Sequence, residues 1–136
     1  MSGAGPNERQ RVHSASPYET TFGFCRAIRV GERIIVSGTG PIEPDGSTTP
    51  GDAGAQADRC FAIAIAAIEE LGGRAADVVR TRMYVTDLAD QDAIGAAHAR
   101  AFGAYPPAAT MAGTPALVRP EWKVEIEVEA VLEART

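Results

Sequence analysis

The sequence predicts an α+β domain, a mixed sheet covered on one face by two helices. Three observations carry this prediction. Trp122, Val124, Ile126, Val128 and Ala130 alternate with Lys123, Glu125, Glu127 and Glu129, which is the two-residue period of a strand with one buried face. Cys60, Phe61, Ala64, Ile65, Ile68 and Leu71 instead recur at helical spacing. The segments also follow one another as strand, strand, helix, strand, helix, strand, strand, with no internal repeat and no linker-like run between them.

The elements follow in order. Residues 1–10 are polar and carry Gly and Pro, so they read as a disordered tail ahead of one domain over 11–136. From Phe22 to Val30 the chain alternates, with Phe22, Phe24, Arg26, Ile28 and Val30 on one side, and Gly31-Glu32 turns it into a second strand over 33–37. Pro41, Pro44, Asp45-Gly46 and Pro50 make residues 38–51 a loop. The first long helix starts with Thr49 as its capping candidate, Pro50 at the first helical position and Asp52 three residues after the cap. Gly72-Gly73 stops it. Residues 78–86 alternate as a strand. Asp87 to Asp90 then cap a second helix that reaches about Gly103, with Ile94, Ala97, His98, Ala101 and Phe102 on one face. Tyr105-Pro106-Pro107 ends it, and a short strand over 109–113 precedes the last one. One sheet face is left without a helical cover, which favours association with further copies of the chain.

Composition narrows the function. The 136 residues carry 13 basic and 18 acidic side chains, a net charge of −5, and Lys123 is the only lysine. That balance argues against nucleic acid or an anionic membrane as a partner, since both need a basic face. No apolar run approaches the roughly 20 residues of a membrane helix, and residues 1–8 lack the apolar core of a signal peptide, so the expected location is cytoplasmic. Cys25 and Cys60 form no framework, and His13 and His98 stand far apart, so no metal is expected. Walker, GxGxxG, GxSxG and HExxH motifs do not occur, which excludes several common enzyme classes.

Four features could carry chemistry. Glu125, Glu127 and Glu129 share one strand face, where they are either a solvated row paired with Arg80 and Arg82 or include a cleft carboxylate with a raised pKa. His98 is either a core or interface histidine or a site residue. Tyr18 is a packing aromatic or a cleft phenol. Ser37-Gly38, at a strand end, either makes a turn or presents a hydroxyl and an N–H to a ligand.

Taken together, several segments resemble a known family. They are Pro17-Tyr18, Ile35-Val36-Ser37-Gly38 with Pro41 to Gly46, Asp52 with Gln56, and Asp77 to Thr81. Tyr84 to Leu88, Ala101-Phe102, Pro107-Ala108 and Val124-Glu125-Ile126-Glu127 complete the set. Their order and spacing are similar to those of the reactive intermediate deaminase (Rid, or YjgF) family, from about Pro17 to Ala130. The resemblance implies a chorismate-mutase-like fold, a homotrimer with small-molecule clefts between subunits, and cofactor-free hydrolysis of enamines or imines. It puts Glu125 in the position that places the hydrolytic water and sets Tyr18 and Ser37 in the cleft wall.

At one position the pattern breaks. The family's carboxylate-gripping arginine falls two residues after a proline, and here that residue is Ala109; the nearest arginine downstream is Arg119. A bidentate guanidinium is the usual grip on a carboxylate, so its loss implies an arginine-lacking branch and argues against the standard action on 2-imino acids. Ala109, Thr110 and His98 are the substrate-side positions where the cleft would differ. Two readings follow: a hydrolase whose substrate has no clamped carboxylate, or a non-catalytic trimer that binds a metabolite. A ribonuclease role fits the acidic composition least.

Overall fold

The computed structural model describes residues 8–133. Six strands form one mixed sheet in the order β1-β2-β3-β6-β4-β5. They are β1 (Arg9–Val12), β2 (Ala27–Val30), β3 (Arg33–Thr39), β4 (Val78–Val85), β5 (Ala108–Gly113) and β6 (Val124–Val131). All neighbouring strands run antiparallel except β4 and β5, which are parallel and joined through a helix. A short helix α1 (Tyr18–Phe22) precedes β2, and two longer ones, α2 (Ala53–Glu70) and α3 (Gln91–Phe102), lie on one sheet face.

The core is the layer between those helices and the sheet. Phe61, Ile68, Cys60 and Ala64 of α2 and Ile94, Ala97 and Phe102 of α3 meet Ile34 and Val36 of β3 and Val124, Ile126 and Val128 of β6. Phe61 and Phe102 pack edge to face at 5.4 Å. Alanines along α2 let the helix approach the strands closely, so the apolar surface is removed from water with little void. Both cysteines are free thiols, and burial pushes that of Cys60 far above its ordinary pKa.

The predicted α+β architecture matches this fold, and four local expectations are corrected. The alternation from Phe22 to Val30 is not one strand: Phe22 closes α1, Gly23 turns the chain at φ 79°, and only Ala27–Val30 pair in the sheet. The helical turn forms because Gly23 adopts the left-handed conformation and donates its N–H to the Glu19 carbonyl. A strand before it, β1, was not foreseen. Arg9 and Gln10, assigned to the tail, pair with Val30 and Arg29, while residues 1–7 of that tail lie outside the described residues. The cap of α2 is Asp52, whose carboxylate accepts from Ala55 N–H at 2.9 Å, not Thr49. Asp87 caps a 3₁₀ turn over Leu88–Asp90, and α3 begins after it.

Two irregularities of the sheet matter for the site. Val36 pairs with Val128 but Thr39 pairs with Ile126, so β3 carries one extra residue in the Ser37-Gly38 stretch. Such a bulge bends its strand and re-aims the neighbouring side chains. A matching one in β4, between Val78 and Arg80, turns Val79 out to solvent.

Candidate functional site

At the bulged end of β3, α1, β3, α2 and β6 enclose a cavity of about 130 Å³. Its wall is largely apolar, with Phe22, Phe24, Ile42, Ile63, Val118 and Trp122. Its polar groups include Tyr18, Arg26, Thr39 and Glu125.

Arg26 is the anchor. It is 4% exposed and pairs through Nε with Glu19, itself 2% exposed, at 3.1 Å. Its Nη1 donates to the Gly38 carbonyl at 2.5 Å and to Thr39 Oγ1 at 2.9 Å, so the guanidinium holds the bulge in place. The Ser14 hydroxyl and N–H also donate to Glu19, and His13 Nδ1 lies 2.9 Å from it. Burial alone would raise the Glu19 carboxyl. The bonds from Ser14 and the charge of Arg26 outweigh that and hold it below the usual glutamate value.

Glu125, the first glutamate of β6, turns toward this anchor. Its carboxylate lies against Gly38, where a β-carbon would fall on Oε2. Burial pushes its pKa up; Arg26 opposes the shift and Glu127 adds to it. A carboxyl raised in this way is a stronger base than an ordinary glutamate and can both accept and return a proton.

Tyr18 stands across the cavity in α1, its ring stacked on Phe22 at 5.8 Å and perpendicular to Trp122 at 6.4 Å. Arg119 lies over both the Tyr18 and Trp122 rings, at 5.4 and 5.7 Å, and donates from Nε to the Tyr18 hydroxyl oxygen at 3.0 Å. A guanidinium only donates, so the Tyr18 oxygen accepts here and its own proton is left for another partner. The other Arg119 bonds go to the Gly46 carbonyl and Thr48 Oγ1. Trp122 fits because Gly40 has no side chain: a β-carbon there would run into the indole. Buried Gln56 fixes this wall from α2, accepting from Lys123 N–H and donating to the Glu121 carbonyl.

Of the residues singled out from sequence, the structure therefore brings Tyr18 and Glu125 together. Ser37 stands beside the cavity on the bulge, but its hydroxyl donates to the Cys25 carbonyl at 2.7 Å, and it lines a neighbouring hollow with Arg11, Glu19 and Cys25. His98 lies under the sheet, its Nε2 2.7 Å from Thr81 Oγ1 and its ring against Phe61 and Phe102. Burial lowers its pKa, which keeps it neutral, as a packed histidine should be. Ala109 and Thr110 lie exposed on β5 at the sheet edge, paired with Thr81 and Arg82. Arg26 and Glu19 were missed as site residues. The available signal was Arg26 itself, a charge on an otherwise apolar face.

This geometry can be set beside known proteins. The family model for endoribonuclease L-PSP matches residues 14–132. The chain belongs to this family, the YjgF/Rid family. An uncharacterised protein of Streptomyces coelicolor is 37% identical over 121 residues, spanning 89% of this chain and 90% of that one. The Escherichia coli 2-iminobutanoate/2-iminopropanoate deaminase is 28% identical over 112 residues, 82% of this chain and 88% of that one. Among solved YjgF-family structures, one from Mycobacterium tuberculosis is 38% identical with a TM-score of 0.83 and covers 92% of this chain and all of its own. The Escherichia coli YjgF protein is 27% identical with a TM-score of 0.81, covering 91% and 99%. These likenesses establish the chorismate-mutase-like α+β fold predicted for a Rid-family chain. Among the described residues no helix is long and apolar enough to cross a membrane.

Proposed function

We propose that this Rid-family chain is a cofactor-independent imine or enamine hydrolase with Glu125 as its proton-transfer group. The observation that carries the reading is the Glu125 carboxyl, desolvated in the wall of the cavity that Arg26 and Tyr18 also line. In hydrolysis, water adds to the C=N carbon while Glu125 takes its proton. The same carboxyl returns that proton to nitrogen, giving a carbinolamine. Glu125 then takes the carbinolamine hydroxyl proton and delivers it to the amino nitrogen as the C–N bond breaks, so ammonia leaves a carbonyl product. Tyr18, whose hydroxyl proton Arg119 leaves free, would orient the substrate. The iminobutanoate deaminase named above supports the reaction class, while the family resemblance puts Ala109 at the position of a carboxylate-gripping arginine.

The uncovered sheet face, where Ile35 is exposed beside the glutamates of β6, supports a homotrimer with its clefts between subunits. Light scattering should then give about three times the 14.2 kDa chain mass. The largely apolar wall favours a second reading, a trimer that binds a metabolite without turning it over.

One assay separates the two. Imines are generated in situ by an amine or amino-acid oxidase, and ammonia release is followed with and without the protein. Acceleration that falls by two to four orders of magnitude in Glu125→Gln is expected. Unchanged rates in that variant would remove the role of Glu125. No acceleration of any imine by the folded protein would leave the binding reading.

A further inference from the structure

We infer that the cavity selects a cationic amine or iminium head on an apolar body and turns carboxylates away. The inference rests on the proposed site and deepens it by naming what the site takes.

Charge is the first argument. Among the described residues of the cavity wall Arg26 is the one cation, and two carboxylates, Glu19 and Glu125, act on it. Its Nε and Nη1 already donate to Glu19, the Gly38 carbonyl and Thr39. An incoming carboxylate would have to compete with these acceptors and sit beside Glu125. Arg119, the other guanidinium nearby, is engaged by Tyr18, Gly46 and Thr48 and has the Glu121 carboxylate within its field. The charge left uncompensated in the cavity is therefore negative.

The second argument is the wall. Tyr18, Phe22, Phe24 and Trp122 present four aromatic rings around a single carboxylate, with Tyr18 and Trp122 meeting at 87°. Arg119 already lies over the Tyr18 and Trp122 rings and Arg26 over Phe24, so the rings serve as apolar walls and Glu125 is the group that meets an ammonium head. The Tyr18 hydroxyl adds a directed polar contact, and Ile42, Ile63 and Val118 leave the rest of the cavity to an apolar body. Trp122 and Glu125 both lie close over glycines, at Gly40 and Gly38, so ring and carboxylate are fixed before a ligand arrives.

Calorimetric titration with three probes of one shape tests this: benzylammonium, benzyl alcohol and phenylacetate. Benzylammonium should bind at least tenfold tighter than either of the others. Glu125→Gln should close that gap, while Glu129→Gln, farther along the strand and outside the cavity, should leave it. Equal or tighter binding of phenylacetate, or no binding of benzylammonium by the folded wild-type protein, overturns the inference; both readouts stand without any variant. The imine of benzaldehyde and a 2-imino acid then separate this inference from the hydrolase reading. If benzylammonium binds and neither imine is hydrolysed, the hydrolase reading falls and the selectivity remains. Faster hydrolysis of the 2-imino acid overturns the selectivity and leaves the hydrolase.

Discussion

Along β6, Glu125, Glu127 and Glu129 occupy one face of one strand, yet the two ends of this row sit in different surroundings. Glu127 accepts from the Tyr84 hydroxyl at 3.2 Å and lies 3.5 Å from Arg82. Glu129 is shared by Arg82 and Arg33 at 3.6 and 3.4 Å. Both remain partly in water, so their ion pairs are screened and each is worth at most about 1 kcal/mol. Arg82 was expected as a partner; the second arginine is Arg33 and not Arg80. Glu125 instead lies against the bulge, over a glycine, beside a guanidinium that another carboxylate already holds. Identical residues in identical register thus differ because of what the adjoining strand places opposite them. Glu127 stands opposite the Ser37-Gly38 bulge yet stays solvated beside Arg82, and the row becomes a site one pair beyond it, where the Glu125 carboxylate comes against Gly38.

The largest expected effect comes from breaking the buried end. Glu19→Ala leaves the Arg26 charge buried without its carboxylate and should cost about 3–5 kcal/mol in denaturant unfolding. A loss under 1 kcal/mol would mean that water reaches the pair. Because the folded Glu19 pKa lies below the unfolded value, its contribution is present above pH about 4.5 and disappears as pH falls through the folded value. Wild type should therefore lose stability in acid, and the variant should lose less.

Next comes Gly40→Ala, which forces the new methyl into the Trp122 ring. Overpacking of this kind costs about 1–3 kcal/mol and should shift Trp122 fluorescence. At the solvated end, Arg82→Ala should cost about 1 kcal/mol or less and leave imine hydrolysis unchanged; a larger loss would mean that the row acts as one network. Smallest, and opposite in sign, is Glu125→Gln. The raised pKa means that the ionised carboxylate opposes folding at neutral pH and that this cost fades as pH falls toward the unfolded value. The variant should melt higher than wild type at pH 7, with the gain shrinking in acid. A lower melting temperature at pH 7 would show that the carboxylate supports the fold.

The strong periodicities were legible in the sequence. β6, β4 and α2 each bury one face, so their patterns report the core directly. The segment before β2 was not, because Phe22, Gly23, Phe24 and Cys25 alternate as a strand would while Gly23 turns the chain out of a short helix. β1 has a single buried residue, Val12, and so offered no pattern to read. At the candidate site, Tyr18 and Glu125 stood out as candidates in the chain itself, and the family resemblance supplied the roles expected of them. Burial of Arg26 was implied when the alternation placed it among apolar neighbours, but its partner Glu19 lies in α1, and only the fold brings the two together. Ser37 was placed on the correct stretch of strand, and the bulge that decides where its hydroxyl points leaves no mark in composition.

Cys60 turns the closed layer beneath the sheet into a clock. Its thiol is wholly enclosed by α2 and the strands and is held protonated by burial, so an alkylating reagent cannot reach a reactive thiolate in the native state. Labelling at this one atom must wait for the helix layer to open. Its rate would read how often the whole core comes apart, while the half-buried Cys25 near the bulge would report local openings there.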